Sequence, residues 1–169
     1  MKKFKLTSEF IVDISGVKLF RIKALIEFGN VKAGDLGGYI EKEENLSHMG
    51  NAWIYGDAQI SGNAQVFGDA QVFGNAWVSG NARVSGDAWI YGDARVSGDK
   101  DYAYAHGFGS CNRTTTFFRL KDGDVGVRCG CFYGTLAQFR DKVCETHGET
   151  KKAQEYLMLA DLMEIRFKN

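Results

Sequence analysis

"GNAWVSGNARVSGDAWIYGDARVSG", residues 74–98, states one six-residue phrase four times. Aligned on glycine, the chain reads GNAWIY, GDAQIS, GNAQVF, GDAQVF, GNAWVS, GNARVS, GDAWIY and GDARVS without interruption from Gly50 to Ser97. A fixed short period marks a repeat architecture, in which each unit buries its apolar side only by stacking on its neighbours. Every unit supplies one branched aliphatic residue, one alanine, a glycine followed by Asn or Asp, and variable residues on either side of the aliphatic one.

Read from its aliphatic residue, the unit resembles the hexapeptide repeat of left-handed parallel β-helices. The physics of a triangular coil suits it. Each side needs one branched side chain pointing inward, a small residue where the corner crowds the axis, and Gly with Asn or Asp to turn. Ile54, Ile60, Val66, Val72, Val78, Val84, Ile90 and Val96 are expected to stack inside, with Ala58, Ala64, Ala70, Ala76, Ala82, Ala88 and Ala94 at the corners. The hand comes from the resemblance alone, since parallel crossovers are normally right-handed.

Three hexapeptides make a coil of 18 residues, so positions 18 apart stack and the outward residues sort onto three faces. One face carries Trp53 and Tyr55, then Gln71 and Phe73, then Trp89 and Tyr91; the others carry no continuous aromatic strip. Contiguous exposed apolar surface usually marks a contact. Trp53, Tyr55, Phe73, Trp89 and Tyr91 are therefore the candidate interface, either with further copies of the chain, with its own terminal segments, or with a foreign partner.

The chain divides into an N-terminal β cap with an irregular first coil (1–49), the repeats (50–99) and a small α+β module (100–169). Ile40 and Leu46 lie at six-residue spacing with Ala52, in the alanine register. Before them, "FIVDI" and "VKLFRIKALIEF" around Ser15-Gly16 read as a hairpin or meander covering the first coil, because a bare solenoid end invites aggregation. After Asp99, "TTTFFRL", the turn "KDGD" and "VGVRCGCF" read as strand, turn and strand. Thr135 with Gln138 forms a capping box for a helix bearing Leu136, Phe139, Val143 and His147. A second helix follows "HGET" with Tyr156, Leu159, Ala160 and Met163 on one side, and "EIRF" is expected to return as a short strand. At this size the module is expected to pack on the solenoid or on a neighbouring subunit.

"GFGSCNRTTT", residues 107–116, is the candidate ligand loop. Ser110, Asn112, Arg113 and Thr114, joined by Arg119 and Arg128 from the following strands, supply the hydroxyl, amide and guanidinium donors that grip phosphate or another anion. Cys129 and Cys131 lie two apart on an expected strand and so face one way. With Cys111 and His147 they imitate a zinc site, but paired-ligand spacings are absent and buried apolar thiols are the expectation. No metal and no cofactor is assigned.

Twenty-one Lys and Arg balance twenty-one Asp and Glu, which excludes a global pull toward nucleic acid or anionic membrane. Glu9 and Asp13 interrupt any secretory apolar core, no segment reaches membrane-span length, and all four cysteines sit in the last third, so a reducing cytoplasmic location is expected.

With GDLGGYIE, ENLS, the GDA/GNA repeats and the tail GSCNRTTTFFR, CGCFYGTLAQF and HG together, the chain resembles a group of hexapeptide-repeat proteins common in phage and prophage genomes. That resemblance implies a phage-associated β-helix protein and brings no established activity with it; the leading expectation is a non-catalytic homotrimer that binds or sequesters a ligand, such as a nucleotide immune signal in the host cytosol, or that blocks a host defence protein. Two alternatives stay open, an acyltransferase and a structural virion or assembly component. Hexapeptide acyltransferases use a solenoid-side histidine as base, whereas here His48 precedes the repeats and His106 follows them.

Overall fold

Glycine decides where each side of the coil ends. In the computed structural model, which describes residues 1–168, the repeat glycines hold positive φ. At Gly74 the angle is +68° and a side-chain carbon would come within 3.1 Å of the Gly92 backbone, so the turn excludes larger residues. Between turns each hexapeptide leaves two extended residues, giving β4 (Trp53–Ile54), β5 (Gln59–Ile60), β6 (Gln65–Val66), β7 (Gln71–Val72), β8 (Trp77–Val78), β9 (Arg83–Val84), β10 (Trp89–Ile90) and β11 (Arg95–Val96). They follow β1 (Phe4–Val12), β2 (Lys18–Ala24) and β3 (Leu36–Ile40).

These short strands form three parallel ladders in a β-solenoid of about three turns, pairing β4–β7–β10, β5–β8–β11 and β6–β9. Trp53 aligns with Gln71 and Gln71 with Trp89, which is the 18-residue stacking expected. Every expected inward residue, aliphatic or alanine, is at most 1% exposed. Burying each aliphatic side chain contributes roughly 1.5–3 kcal/mol before chain entropy is counted.

The first coil is entered differently from expectation. Ile40 pairs with Ile60 and Leu46 with Val66, so both sit on the aliphatic ladder and not in the alanine register. The entry coil is two residues longer than the others, and a shift of two keeps the same side chains inward. Antiparallel β1, β2 and β3 extend the β5–β8–β11 sheet. Phe4 of β1, Ile22 of β2 and Val31 of the β2–β3 connection join the solenoid core at this mouth.

Backbone groups left over at the two mouths are met by side chains. Within the ladder the Ala70 carbonyl accepts from Trp53 one coil earlier, but Ala52 has no earlier coil and accepts from Lys3 Nζ at 2.8 Å. Asn45 does the same for Ala64 at 2.8 Å. At the far mouth, Trp89 N–H donates to Thr116 Oγ1 at 3.0 Å and Arg83 N–H to Asp99 Oδ1 at 2.7 Å. Buried backbone polar groups require such partners, so these side chains stand in for the coil that is missing at each mouth.

The C-terminal segment forms an antiparallel sheet of β12 (Tyr102–Ala105), β13 (Thr115–Arg119), β14 (Val125–Cys129) and β15 (Phe132–Thr135), followed by α1 (Leu136–His147) and α2 (Lys151–Phe167). Alternation along β13 divides its labour: Phe118 points into the solenoid core and Phe117 into the core under the helices. The sheet is thus a lid on the last coil and a floor for the helices.

Two expectations are overturned here. "VGVRCGCF" is not one strand, because Gly130 at φ 57° turns the chain between β14 and β15, so Cys129 and Cys131 are not strand partners on one face. Cys131 is exposed and Cys129 is half-buried. "EIRF" does not return to the sheet but completes α2, since Phe167 falls four residues after Met163 and both are buried under the same helix face. The Thr135–Gln138 capping box forms as expected. Among the described residues no helix is long and apolar enough to cross a membrane.

Candidate functional site

Between the last coil and the C-terminal sheet lies a cleft of roughly 460 Å³, lined by Asp87, Trp89, Arg113, Thr114, Arg128, Gly130 and Cys131. The solenoid supplies Asp87 and Trp89; the module supplies the rest. The bond from Trp89 N–H to Thr116 Oγ1 fixes the seam, and Thr116 pairs across the sheet with Arg128.

Arg128 is held by aromatic faces. Its guanidinium lies 5.4 Å from the Trp89 ring centre and 5.0 Å from that of Tyr91, and its buried Nε has no hydrogen-bond partner. Stacking of this kind orients a cation without neutralising it. Tyr91 in turn packs on Tyr133 at 4.9 Å, and burial pushes the Tyr133 hydroxyl upward from its ordinary pKa. Arg113 leaves the ligand loop just after Cys111 and Asn112, which both hold positive φ, and its Nη1 lies against Gly130, where any side-chain carbon would collide. Among the described residues neither Arg113 nor Arg128 forms an ion pair. Thr114 Oγ1 is 2.8 Å from His106 Nδ1, which fixes the hydroxyl beside the cleft.

Arg113, Thr114 and Arg128 are therefore brought together as the sequence suggested, and the other three candidates are not. Ser110 faces an adjoining hollow with Phe139 and His147, where its N–H donates to Tyr156 Oη at 2.9 Å. Burial pushes the Tyr156 hydroxyl up, against the lowering effect of its bonds to Ser110, so it remains a neutral donor and acceptor. Asn112 is exposed and outside the cleft lining. Arg119 lies at the opposite end of β13, donating to Asp101 Oδ1 at 3.3 Å and to the Phe167 carbonyl at 3.1 Å, and so clamps α2 to the lid.

The aromatic strip is also divided. Trp53 is 1% exposed beneath Phe4 and Phe28 and is removed from the candidate interface, because the N-terminal cap covers it. Trp89 and Tyr91 are half-buried under Arg128 and Tyr133. Tyr55 and Phe73, stacked at 4.4 Å with planes 5° apart, form the part of the strip lying between the two caps. The sequence placed Trp89 on a face and not in a cleft. Counting by 18 puts it on the last coil, beside the segment that follows, and that was the available signal.

Among the described residues no three His, Cys, Asp or Glu side chains gather as metal ligands would. His48 is committed to the N-terminal cap, stacked 4.2 Å from Phe4 and accepting the Lys3 N–H at 3.1 Å. The cleft's evident capacity is binding: two guanidinia, a hydroxyl, a carboxylate and an indole wall.

Residues 58–74, 64–80, 70–86 and 76–91 match the YdcK beta solenoid repeat family. The matches start at six-residue intervals and lie wholly within the solenoid, so the likeness concerns the repeats, including the coil that carries Asp87 and Trp89, and not the caps. No curated protein matches the chain.

Proposed function

We propose that this is a non-catalytic binding protein that holds an anionic small molecule of nucleotide type between its last coil and its C-terminal sheet. The observation that carries this reading is the convergence of Arg113 and Arg128, neither ion-paired, on a cleft walled by Trp89. Unneutralised guanidinia at one opening favour a phosphate, and an indole beside them favours a planar ring. The volume of roughly 460 Å³ suits a ligand of mononucleotide size.

In this reading the solenoid is a left-handed triangular β-helix serving as a rigid spacer. The Tyr55–Phe73 strip joins three copies, so that a homotrimer offers three clefts and sequesters ligand without turnover. Phage association and a counter-defence role are the biological setting that the repeats and tail support by resemblance.

Calorimetric titration with pyrophosphate and 5′-nucleotides tests the binding claim. Arg113→Ala and Arg128→Ala should each weaken binding by about tenfold to a hundredfold, the worth of one charge-assisted hydrogen bond, and leave the light-scattering mass unchanged. Equal affinities for wild type and both variants would remove the cleft from consideration.

A further inference from the structure

The two walls of the cleft differ in hydrogen-bonding character. The module wall carries only cations and a hydroxyl at its polar positions, whereas the solenoid wall carries Asp87 beside Trp89. Asp87 is exposed and, among the described residues, its carboxylate accepts no hydrogen bond and forms no ion pair with either arginine. One coil earlier on the same ladder, Asp69 accepts from Asn51 at 3.0 Å, and Asp57 faces Arg21 at 4.0 Å; among the described residues the Asp93 carboxylate is unpartnered like that of Asp87, but it lies outside this cleft.

A carboxylate is an acceptor with two oxygens, and it pairs best with two donors side by side. Among the common bases guanine presents that edge, a ring N–H beside an amino group. Adenine presents an amino group beside a ring lone pair, which a carboxylate repels. Trp89, two residues from Asp87 on the same wall and carrying Arg128 over its ring, supplies an apolar indole surface beside the carboxylate for a base whose edge meets it. Arg113 and Thr114 line the module side of the cleft, and the Arg128 guanidinium reaches from that side to lie 5.4 Å from the Trp89 ring centre, so both cations are within one opening with Asp87.

We infer that the cleft selects a guanine mononucleotide, with Asp87 reading the base edge and Arg113 and Arg128 holding the phosphate. This rests on the anion-binding reading of the same cleft and adds the base. Specificity follows from the polar match itself: the carboxylate gains two donors from a guanine edge and meets a repelling lone pair on an adenine edge.

Calorimetry on the full chain with GMP and AMP tests it. GMP should bind at least about tenfold tighter than AMP, the effect of one well-formed polar contact. Asp87→Asn should erase that preference, read as the ratio of GMP to AMP dissociation constants in the same variant. The variant is safe for folding because Asn already occupies the same repeat position at Asn51, Asn63, Asn75 and Asn81. Equal binding of GMP and AMP, or a preference that survives Asp87→Asn, overturns this inference and leaves the anion cleft standing. Failure of both nucleotides and of pyrophosphate to bind overturns both readings together.

Discussion

Raising the pH is expected to stabilise this protein between about pH 8 and about pH 10, and Lys3 is the reason. Its side chain is almost fully enclosed at the N-terminal mouth, over the Phe28 ring and against the Gly50 and Ala52 carbonyls. Burial lowers its pKa from 10.5 to about 8, partly opposed by the charge of Asp69. The charged form is therefore disfavoured in the fold. Below pH 8 both states carry the proton and folding bears the whole cost; above it the native amine deprotonates first, the unfolded chain binds more protons, and stability climbs. The gap between 10.5 and about 8 corresponds to about 3 kcal/mol in all, rising by roughly 1.4 kcal/mol per pH unit. Urea unfolding followed by tryptophan fluorescence at about pH 8 and about pH 9.5 should show about 1.6 kcal/mol of that gain. Lys3→Met removes the titration, and subtracting its profile cancels the cysteines. Buried tyrosines such as Tyr55 and Tyr102, whose hydroxyls burial raises, act in the opposite direction only above their ordinary range. A wild-type-minus-variant difference that is flat or falls across this window would refute the reasoning.

Two further outcomes concern the lid. Phe118→Ala empties a fully buried position between the sheet and the last coil and should cost about 3–5 kcal/mol in urea denaturation; a loss below about 1 kcal/mol would show that the sheet does not close the solenoid. Asp101 is held below the ordinary carboxylate pKa because, although burial raises it, donors from Ser97 and Arg119 outweigh that effect. Its contribution is present above pH 3.8 and lost as pH falls through its lower folded value, so Asp101→Asn should be less stable at neutral pH and its deficit should shrink in acid, measured by thermal denaturation.

The repeats were legible because their information is local and redundant: the same glycine, alanine and aliphatic positions recur, and one period fixes every ladder from Trp53 to Val96. The helix cap at Thr135 was legible for a similar reason, since a capping box is complete within four residues. What covers a side chain was not. Trp53 and Trp89 stand at equivalent repeat positions, yet one is sealed by a hairpin from the other end of the chain and the other walls a cleft. Ser110 and Arg119 carry suitable chemistry for anion binding, but Tyr156 and Asp101 claim them across 46 and 18 residues. The two-residue shift at Ile40 and Leu46 was not legible because both registers place an apolar residue inward. "EIRF" alternates like a strand, and only the burial of Phe167 beneath α2 decides for helix.

The central claim is that a phosphate-bearing ring sits between the last coil and the C-terminal sheet, and a crystal structure grown with GMP tests it most directly. The account predicts the phosphate between Arg113 and Arg128 and the base against Trp89 with its edge on Asp87. Crystals of the intact chain with GMP bound elsewhere, or with the cleft holding only solvent at saturating GMP, would contradict it.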